Sequence, residues 1–553
     1  MKHGMESEAM LLRSYAKINL TLDILGRRPD GYHEIDTVFQ QIDLFDEVEI
    51  TPVDEGALTV TCTDPSIPAS DNICLKAARL MINHFGLRQG VQISIKKKIP
   101  VGAGLSGGSS NAAAVIRGMV HCFRLSPARE ELEEIGAALG MDVCFHLRGG
   151  TCRGRGRGEI LEDLPPFPSH FAVVVYPGFS VRTADAYAGL DYSRIGRARR
   201  TPAFIQSYDA ALRHNDFEYS VFNAYPELAA IKELLGPGAL LSGSGSCVVG
   251  LYRSREEAQR MYRAISARYR DVFLTRTLNR TILTADEMGF CAGVRRAVEG
   301  ASELVGRGNV YVIGKLVHNP TVRERLIRAG VVETETPDGV VNGTAVIASH
   351  GAPDAYIDDL AGKGVSVVDL TCPVVRSLHR ITRQKEGEGR KIVILGDRHH
   401  SEVKGLAGNL ADALVINEPD DLNEEDTAVP ITLVCQTTMD PERFSRVSED
   451  LKRRCTDIEV LDTICAATRK RLESAADLAS KSDVVFVIGG KDSANTKRLH
   501  ERCACFCEAY HIEDSREIDP RWLFEKDRIG VTAGASTPAE EIHSVIESLR
   551  LVM

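Results

Sequence analysis

Two rhythms of apolar and polar positions divide the chain. Residues 15–25 (YAKINLTLDIL) alternate as a strand with one buried face and run into the turn Arg28-Pro-Asp-Gly31. Residues 91–99 read as a second strand, residues 256–270 as an amphipathic helix, and residues 271–277 as a short closing strand. Strands and helices follow one another here without a regular βαβ alternation, which predicts an α+β fold. After residue 281 the rhythm changes to short, almost wholly apolar runs at 310–314, 344–348, 391–395 and 483–488, separated by helical stretches. Such runs are buried on both faces, so the second half reads as α/β with parallel sheets. The spacing places the boundary near Arg280, giving regions 1–280 and 281–553 with almost no linker.

Composition narrows the picture. A chain of 553 residues with 43% apolar content has room for roughly three to four domains. Fourteen cysteines are too few for a disulfide framework in a chain this long, so they read as thiols or metal ligands. A net charge of −10 offers no basic face for a phosphate backbone, and the short basic stretches at 153–158 and 194–200 carry no interleaved aromatics. That ranks a nucleic-acid-binding regulator with an iron–sulfur sensor low. The first residues lack the apolar run of a signal peptide, and no apolar stretch is long enough to cross a bilayer. A soluble cytoplasmic protein is expected.

After the strand at 91–99 comes a loop of small residues, Pro100-Val-Gly-Ala-Gly-Leu-Ser-Gly-Gly-Ser-Ser110, and then a helix from Asn111. Glycines let backbone N–H groups approach phosphate oxygens, and the helix N-terminus adds partial positive charge. The candidate cradle is Pro100, Gly102, Gly104, Leu105, Ser106, Gly107, Gly108, Ser109 and Ser110. No Gly-Lys-Ser/Thr closes it, so it is not a P-loop. Gly102, Gly104 and Gly107 also satisfy the dinucleotide fingerprint, but that needs an acidic residue after a second strand, where residues 126–139 read as helix.

The segment PVGAGLSGGSSNAA resembles the phosphate loop of the small-molecule kinases that include galactokinase, homoserine kinase and mevalonate kinase. With AKINLTLDILGRRPDGYHEIDTVFQ and LGMDVCFHLRGG, the stretch from about Ser14 to Thr277 is similar to the family of 4-diphosphocytidyl-2-C-methyl-D-erythritol kinases. The resemblance implies the α+β kinase fold in two subdomains, ATP with Mg²⁺, and transfer of the γ-phosphate to the substrate's 2-hydroxyl. It also implies that Lys17 and Asp142 face that hydroxyl, the ammonium offsetting phosphate charge and the carboxylate accepting or orienting the proton. Asn19, Tyr32 and His33 are then expected at the cytidine-bearing substrate, with Thr183 near its methylerythritol and Tyr187 stacked on its base. A second glycine-rich loop, residues 241–246, is expected nearby.

In the second half, Cys291, Cys372 and Cys465 each follow a strand-like run and open a helix, where a thiolate is favoured by the helix dipole. Their intervals are about the size of a small α/β unit, which makes a weak threefold repeat plausible. Cys503, Cys505 and Cys507 lie in what reads as a helix, where alternate residues point apart, and are taken as incidental; Cys435 and Cys455 read as core or surface thiols. The segments GFCAGV, KLVHNP, ASHGAP, DLTCPVV, HHSEVKG, CQTT, DTICAATRKR, DSANTKRL and TAGASTP stand in the order found in the 4-hydroxy-3-methylbut-2-enyl diphosphate reductases, which residues 281–553 resemble.

That resemblance implies three α/β units around a [4Fe–4S] cluster held by Cys291, Cys372 and Cys465. It implies His318, His350 and His400 at the diphosphate with Ser493, Asn495 and Ser536, and Glu402 as proton source positioned by Thr437. Ala494 stands where the family commonly has a serine. Together the two resemblances imply a bifunctional enzyme of the non-mevalonate isoprenoid pathway, with small-molecule substrates and an electron donor such as ferredoxin or flavodoxin. The rival within the enzyme class is that one half serves only as a docking module; the intact reactive residues of both halves count against it.

Overall fold

The computed structural model describes residues 9–54, 56–193, 195, 199–317 and 319–553. It divides into two compact units, one of Met1–Thr281 with Asp519–Asp527 and Ser548–Met553, the other of Ile282–Ile518 with Arg528–Glu547. The first unit thus gathers two short segments from the far end of the chain beside the continuous stretch that the residue pattern marks out. Among the described residues no helix is long and apolar enough to cross a membrane.

The first unit is built on long, twisted antiparallel strands. Met10–Arg27 pairs with His33–Val53 across the turn at Arg28–Gly31, and its alternation puts Ile18, Leu20, Leu22 and Ile24 in the core. Gly90–Lys96 and Leu58–Cys62 extend this sheet on one side, while Thr151–Gly156 pairs with His33–Val53 and carries Ile160–Asp163. The helix Gly107–Cys122, buried along most of its length, packs against the sheet. A second sheet of four antiparallel strands, in the order Asp271–Arg276, Phe171–Tyr176, Val248–Tyr252 and Leu240–Leu241, completes the unit. The basic stretch at 153–158 lies in the first sheet. Arg153 there is spent on a bidentate pair with Asp36 (2.8 and 2.7 Å), and much of the stretch 194–200 lies outside the described residues.

The second unit holds three four-stranded sheets. Two are formed by contiguous chain: Val310–Ile313 pairs in parallel with Val331–Thr334 and Thr344–Ile347, which carries Ser366–Asp369. Lys391–Leu395 pairs likewise with Ala413–Ile416 and Ile431–Cys435, which carries Ile458–Val460. The third sheet joins the two ends of this half, since Thr281–Thr284 lies beside Arg528–Ala533, followed by Val484–Ile488 and Glu508–Ile512. Helices cover these sheets and bury the Val/Ile/Leu runs, as parallel sheets require.

Candidate active sites

The strand Gly90–Lys96 leads into the glycine-rich loop, and the helix behind it begins at Gly107, four residues earlier than the pattern predicts. Gly-Gly-Ser-Ser has poor helix propensity, but as a first turn it needs little: only the Ser110 N–H is bonded within the helix, to the Ser106 carbonyl (3.0 Å), and the leading N–H groups face a ligand site. The turn is set by Ser106, which takes a left-handed conformation (φ 62°). Gly104 (φ +75°) must be glycine, because a Cβ there would stand 2.0 Å from the Ser242 carbonyl oxygen. At that contact the two glycine loops meet, with the Ser242 hydroxyl donating to the Gly104 carbonyl (3.0 Å).

A cavity of about 600 Å³ opens beside them. Pro100, Gly102, Gly104, Ser106, Gly107, Gly108 and Ser109 line it together with Lys17, Asn19, Asp142, Thr183 and Tyr187. Leu105 and Ser110 do not. The Leu105 side chain is buried in the core, and the Ser110 hydroxyl donates to the Tyr15 carbonyl (2.7 Å), holding the helix on the sheet. Tyr32 is exposed, and the His33 ring stacks on Tyr187 at 4.1 Å. Residues that the sequence reading missed line the same cavity: Ile67, Ile73, Lys97 and Arg157. Of these, Lys97 is committed to Asp46 (2.6 Å).

Lys17 is buried and its ammonium stands 3.8 Å from the Asp142 carboxylate. It donates to Asn19 Oδ1 (2.8 Å), whose amide in turn donates to Thr37 (2.8 Å). Asp142 accepts from the Ser106 hydroxyl (2.6 Å), tying the carboxylate to the phosphate loop. Burial lowers the Lys17 pKa against the pull of Asp142. For Asp142 burial works upward, but Lys17 and then Ser106 outweigh it and hold the carboxyl below its usual range. Asp142 is therefore ionised at neutral pH.

One helical turn beyond Asp142, His146 is 1% exposed and neither ring nitrogen has a protein hydrogen-bond partner among the described residues. Burial drives its pKa down to about 3, Asp142 opposing and Lys17 adding to the drop, so the folded protein holds it neutral. In the unfolded chain the ring takes a proton near pH ~6.5. The contribution to stability is therefore complete above about pH 6.5 and is lost as pH falls from there toward the folded value. Replacing His146 by Phe should flatten the acid limb of stability by up to about 1.4 kcal/mol per pH unit between about pH 6 and 4. Urea unfolding of both proteins across that range checks it, and equal slopes would contradict the neutral assignment.

In the second unit a narrow cavity is lined by Cys291, Cys372 and Cys465 together with His350, His400, Glu402, Thr437, Ser493, Asn495 and Ser536. Every predicted residue of this half is there except His318, which lies outside the described residues. The convergence has a simple cause: parallel strands deliver the starts of the following helices to one place. Cys291, Cys372, Cys465, His400 and Ser493 are each the N-cap of a helix. Five helix N-termini thus border one cavity, an environment that favours phosphate oxygens.

Glu402 is buried and accepts from the Thr437 N–H (2.6 Å) and hydroxyl (2.8 Å). Burial raises its pKa against both bonds, the direction that favours holding a proton to donate. The His400 Nδ1 accepts from the Glu402 N–H (3.2 Å), an arrangement that leaves the ring's proton on Nε2 as a donor. The rings of His350 and His400 meet edge to face at 5.3 Å. Asn495 Nδ2 is buried without a partner among the described residues, which leaves a donor for an acceptor on a ligand.

The three cysteines suit an iron–sulfur cluster better than a single ion. Among the described residues the trio of potential ligand atoms within 4.8 Å of one another is Asp23, His214 and Asp216, and the three sulfurs do not all lie that close; thiolates are the soft donors that iron–sulfur clusters take. Burial pushes the Cys372 thiol up, the N–H groups of Val374 and Val375 oppose this, and Cys291 and Cys465 add to the rise. Gly293 keeps the space open, since a Cβ there would lie 2.7 Å from Cys372 Sγ. The cluster of Cys503, Cys505 and Cys507 is different. Its helix ends at Ala504, Cys503 is buried, and Cys505 is exposed.

Comparison with known proteins gives two families. Residues 72–150 match the GHMP kinases N terminal domain, residues 204–271 the GHMP kinases C terminal, and residues 282–550 the LytB protein family. A 4-diphosphocytidyl-2-C-methyl-D-erythritol kinase of Syntrophomonas wolfei is 40% identical over 277 residues, 48% of this chain and 97% of the relative. A 4-hydroxy-3-methylbut-2-enyl diphosphate reductase of Thermoanaerobacter sp. is 39% identical over 279 residues, 49% of this chain and 97% of the relative. The chain belongs to both families, one through each half. A solved structure described as (E)-4-hydroxy-3-methyl-but-2-enyl diphosphate reductase, the terminal enzyme of the non-mevalonate pathway, is 35% identical, with a TM-score of 0.41, covering 49% of this chain and 99% of that one. The kinase half and the reductase half are both enzymes by family; the kinase family implies ATP and the reductase family an iron–sulfur cluster.

Proposed function

We propose that the chain is a bifunctional enzyme of the non-mevalonate isoprenoid pathway, with residues 1–280 as the kinase and residues 281–553 as the reductase. For the kinase, the observation that carries the reading is the Lys17–Asp142 pair, 3.8 Å apart, beside the glycine-rich loop in one cavity. Backbone N–H groups of the loop cradle the phosphates of ATP, which binds with Mg²⁺. The acceptor is 4-diphosphocytidyl-2-C-methyl-D-erythritol. Its 2-hydroxyl sits between the two side chains and attacks the γ-phosphorus with ADP leaving, Asp142 orienting or accepting the proton and Lys17 balancing charge on the phosphoryl oxygens as the O–P bond forms. Asn19 holds Lys17 in place. Tyr32, His33 and Tyr187 provide aromatic faces for the cytosine, and Thr183 meets the methylerythritol.

For the reductase, the carrying observation is three cysteines at helix N-termini in the cavity that also holds His350, His400 and Glu402. When bound, a [4Fe–4S] cluster on Cys291, Cys372 and Cys465 supplies electrons and a Lewis-acid site for the hydroxyl oxygen of 4-hydroxy-3-methylbut-2-enyl diphosphate. The residues do the rest. His318, His350, His400, Ser493, Asn495 and Ser536 hold the diphosphate by hydrogen bonds. Glu402, fixed by Thr437, delivers the proton that lets the hydroxyl leave as water; two electrons and a second proton, added at an allylic carbon, then give isopentenyl or dimethylallyl diphosphate. Electrons come from a small carrier protein such as ferredoxin or flavodoxin, in the cytoplasm.

Assaying the purified full chain for each reaction separately tests the reading, and absence of one activity would leave that half a docking module. Glu402→Gln is expected to keep iron and visible absorption while reductase turnover falls about 100-fold or more. A variant with near-normal turnover would mean that the proton comes from elsewhere.

A further inference from the structure

Arg471 lines the reductase cavity with the three cysteines yet is 3% exposed. It lies on the helix Ala466–Lys481, which Cys465 caps. Its Nη2 donates to the Gly289 carbonyl (2.9 Å) and its Nη1 to the Ala467 carbonyl (3.4 Å), while its buried Nε has no partner among the described residues. No ion pair within 4.0 Å involves it among the described residues. Gly289, in a left-handed conformation (φ +73°), stands two residues before Cys291. The guanidinium therefore ties the loop of one cysteine to the helix of another.

A buried cation without a carboxylate is costly, and backbone carbonyls return only part of its lost hydration. Burial lowers the Arg471 pKa, and Cys291, Glu287 and Cys465 oppose this through charge; Glu287 is exposed to solvent, which screens it. The two cysteines are the partners left to balance Arg471 inside the protein.

We propose that Arg471 is a positioning residue of the iron–sulfur site: it fixes the Cys291 loop against the Cys465 helix and supplies the buried positive charge that favours the reduced state of the bound cluster. This rests on the cluster reading above. A [4Fe–4S] core with three thiolates is already anionic and gains a further negative charge with each electron, so a fixed cation in a low-dielectric site makes that electron easier to add. A guanidinium is suited to the task because it stays charged when buried and presents several donors from one rigid plane.

The test uses the full chain, purified anaerobically as wild type, Arg471→Gln and Arg471→Lys. Iron and sulfide are measured first, and each protein is then titrated with dithionite while electron-resonance and visible spectra are followed. The expected result is that Arg471→Gln retains cluster but has a midpoint potential shifted to more negative values, and that Arg471→Lys recovers most of the shift. Arg471→Gln with full iron and an unshifted potential would overturn the proposal. So would loss of iron from both variants, since a charge role requires lysine to rescue. Loss of iron from Arg471→Gln alone supports it. Should the wild-type chain itself hold no iron or sulfide, the failure belongs to the cluster reading and not to Arg471.

Discussion

Asp142→Asn lowers kinase turnover by about 10²–10⁴-fold, the range for a group that handles a proton in the transition state, while ATP binding changes little. Asparagine keeps the shape and can still accept from the Ser106 hydroxyl, but it has neither the charge that faces Lys17 at 3.8 Å nor a basic oxygen for the acceptor's proton. In the proposed function ATP is held elsewhere, by the backbone of the loop around Gly104 to Ser109, which lines the cavity. Lys17→Met is expected to act in the same direction. It keeps the volume next to the Phe39 ring, over which the ammonium lies at 5.4 Å, and removes only the charge. Steady-state kinetics of both variants, with equilibrium nucleotide binding measured alongside, separates the two effects. Near-normal turnover in both would show that the reacting hydroxyl is met by a different pair.

Much of this site was legible because its chemistry is local in sequence. The alternation of residues 15–25 marks a strand, and that strand carries Lys17 and Asn19 side by side on the polar face. The loop from Pro100 to Ser110 marks an anion cradle through glycine alone. Less legible was where the helix begins. Propensity argues against Gly-Gly-Ser-Ser as a helical turn, and tertiary packing on the sheet overrides it. Ser110 shows the same limit: a serine in a phosphate loop reads as a ligand contact, and only the fold reveals that its hydroxyl is spent on Tyr15. Nothing near His146 in the sequence signals a buried neutral imidazole, because burial is decided by elements far away in the chain.

In the second half, each cysteine's place after an apolar run and before a helix identified the N-terminal positions that the structure brings together. A tandem threefold repeat is only part of the outcome. The strand Thr281–Thr284 completes the sheet whose other strands come from after residue 483, a pairing across some 240 residues that no local pattern encodes. Arg471 was missed for a related reason. A lone arginine in a run of charged residues reads as a solvated helix face, and its burial follows from the closure of that same sheet around the Cys291 loop.

Replacing any one of Cys291, Cys372 or Cys465 by Ser abolishes reductase activity and depletes iron, whereas Cys503→Ser, Cys505→Ser and Cys507→Ser do neither. A serine at an N-cap preserves the helix start, since its oxygen caps as well as or better than sulfur, so the first set loses the soft anionic ligand and little else. Among the described residues the cavity is lined by no cysteine besides these three that could take over in the proposed cluster. The second set is set apart by position: Cys503 packs in an apolar cluster with Leu478 and Val485, its thiol pushed up to about 12 first of all by burial, and Cys505 is exposed on the surface. The kinase reaction, assayed on the same preparations, should be unaffected in all six variants, which separates loss of a ligand from loss of the chain. Iron and sulfide analysis with visible spectra of the anaerobically purified proteins reads the outcome. Unchanged iron in the first set, or lost iron in the second, would reassign the ligands.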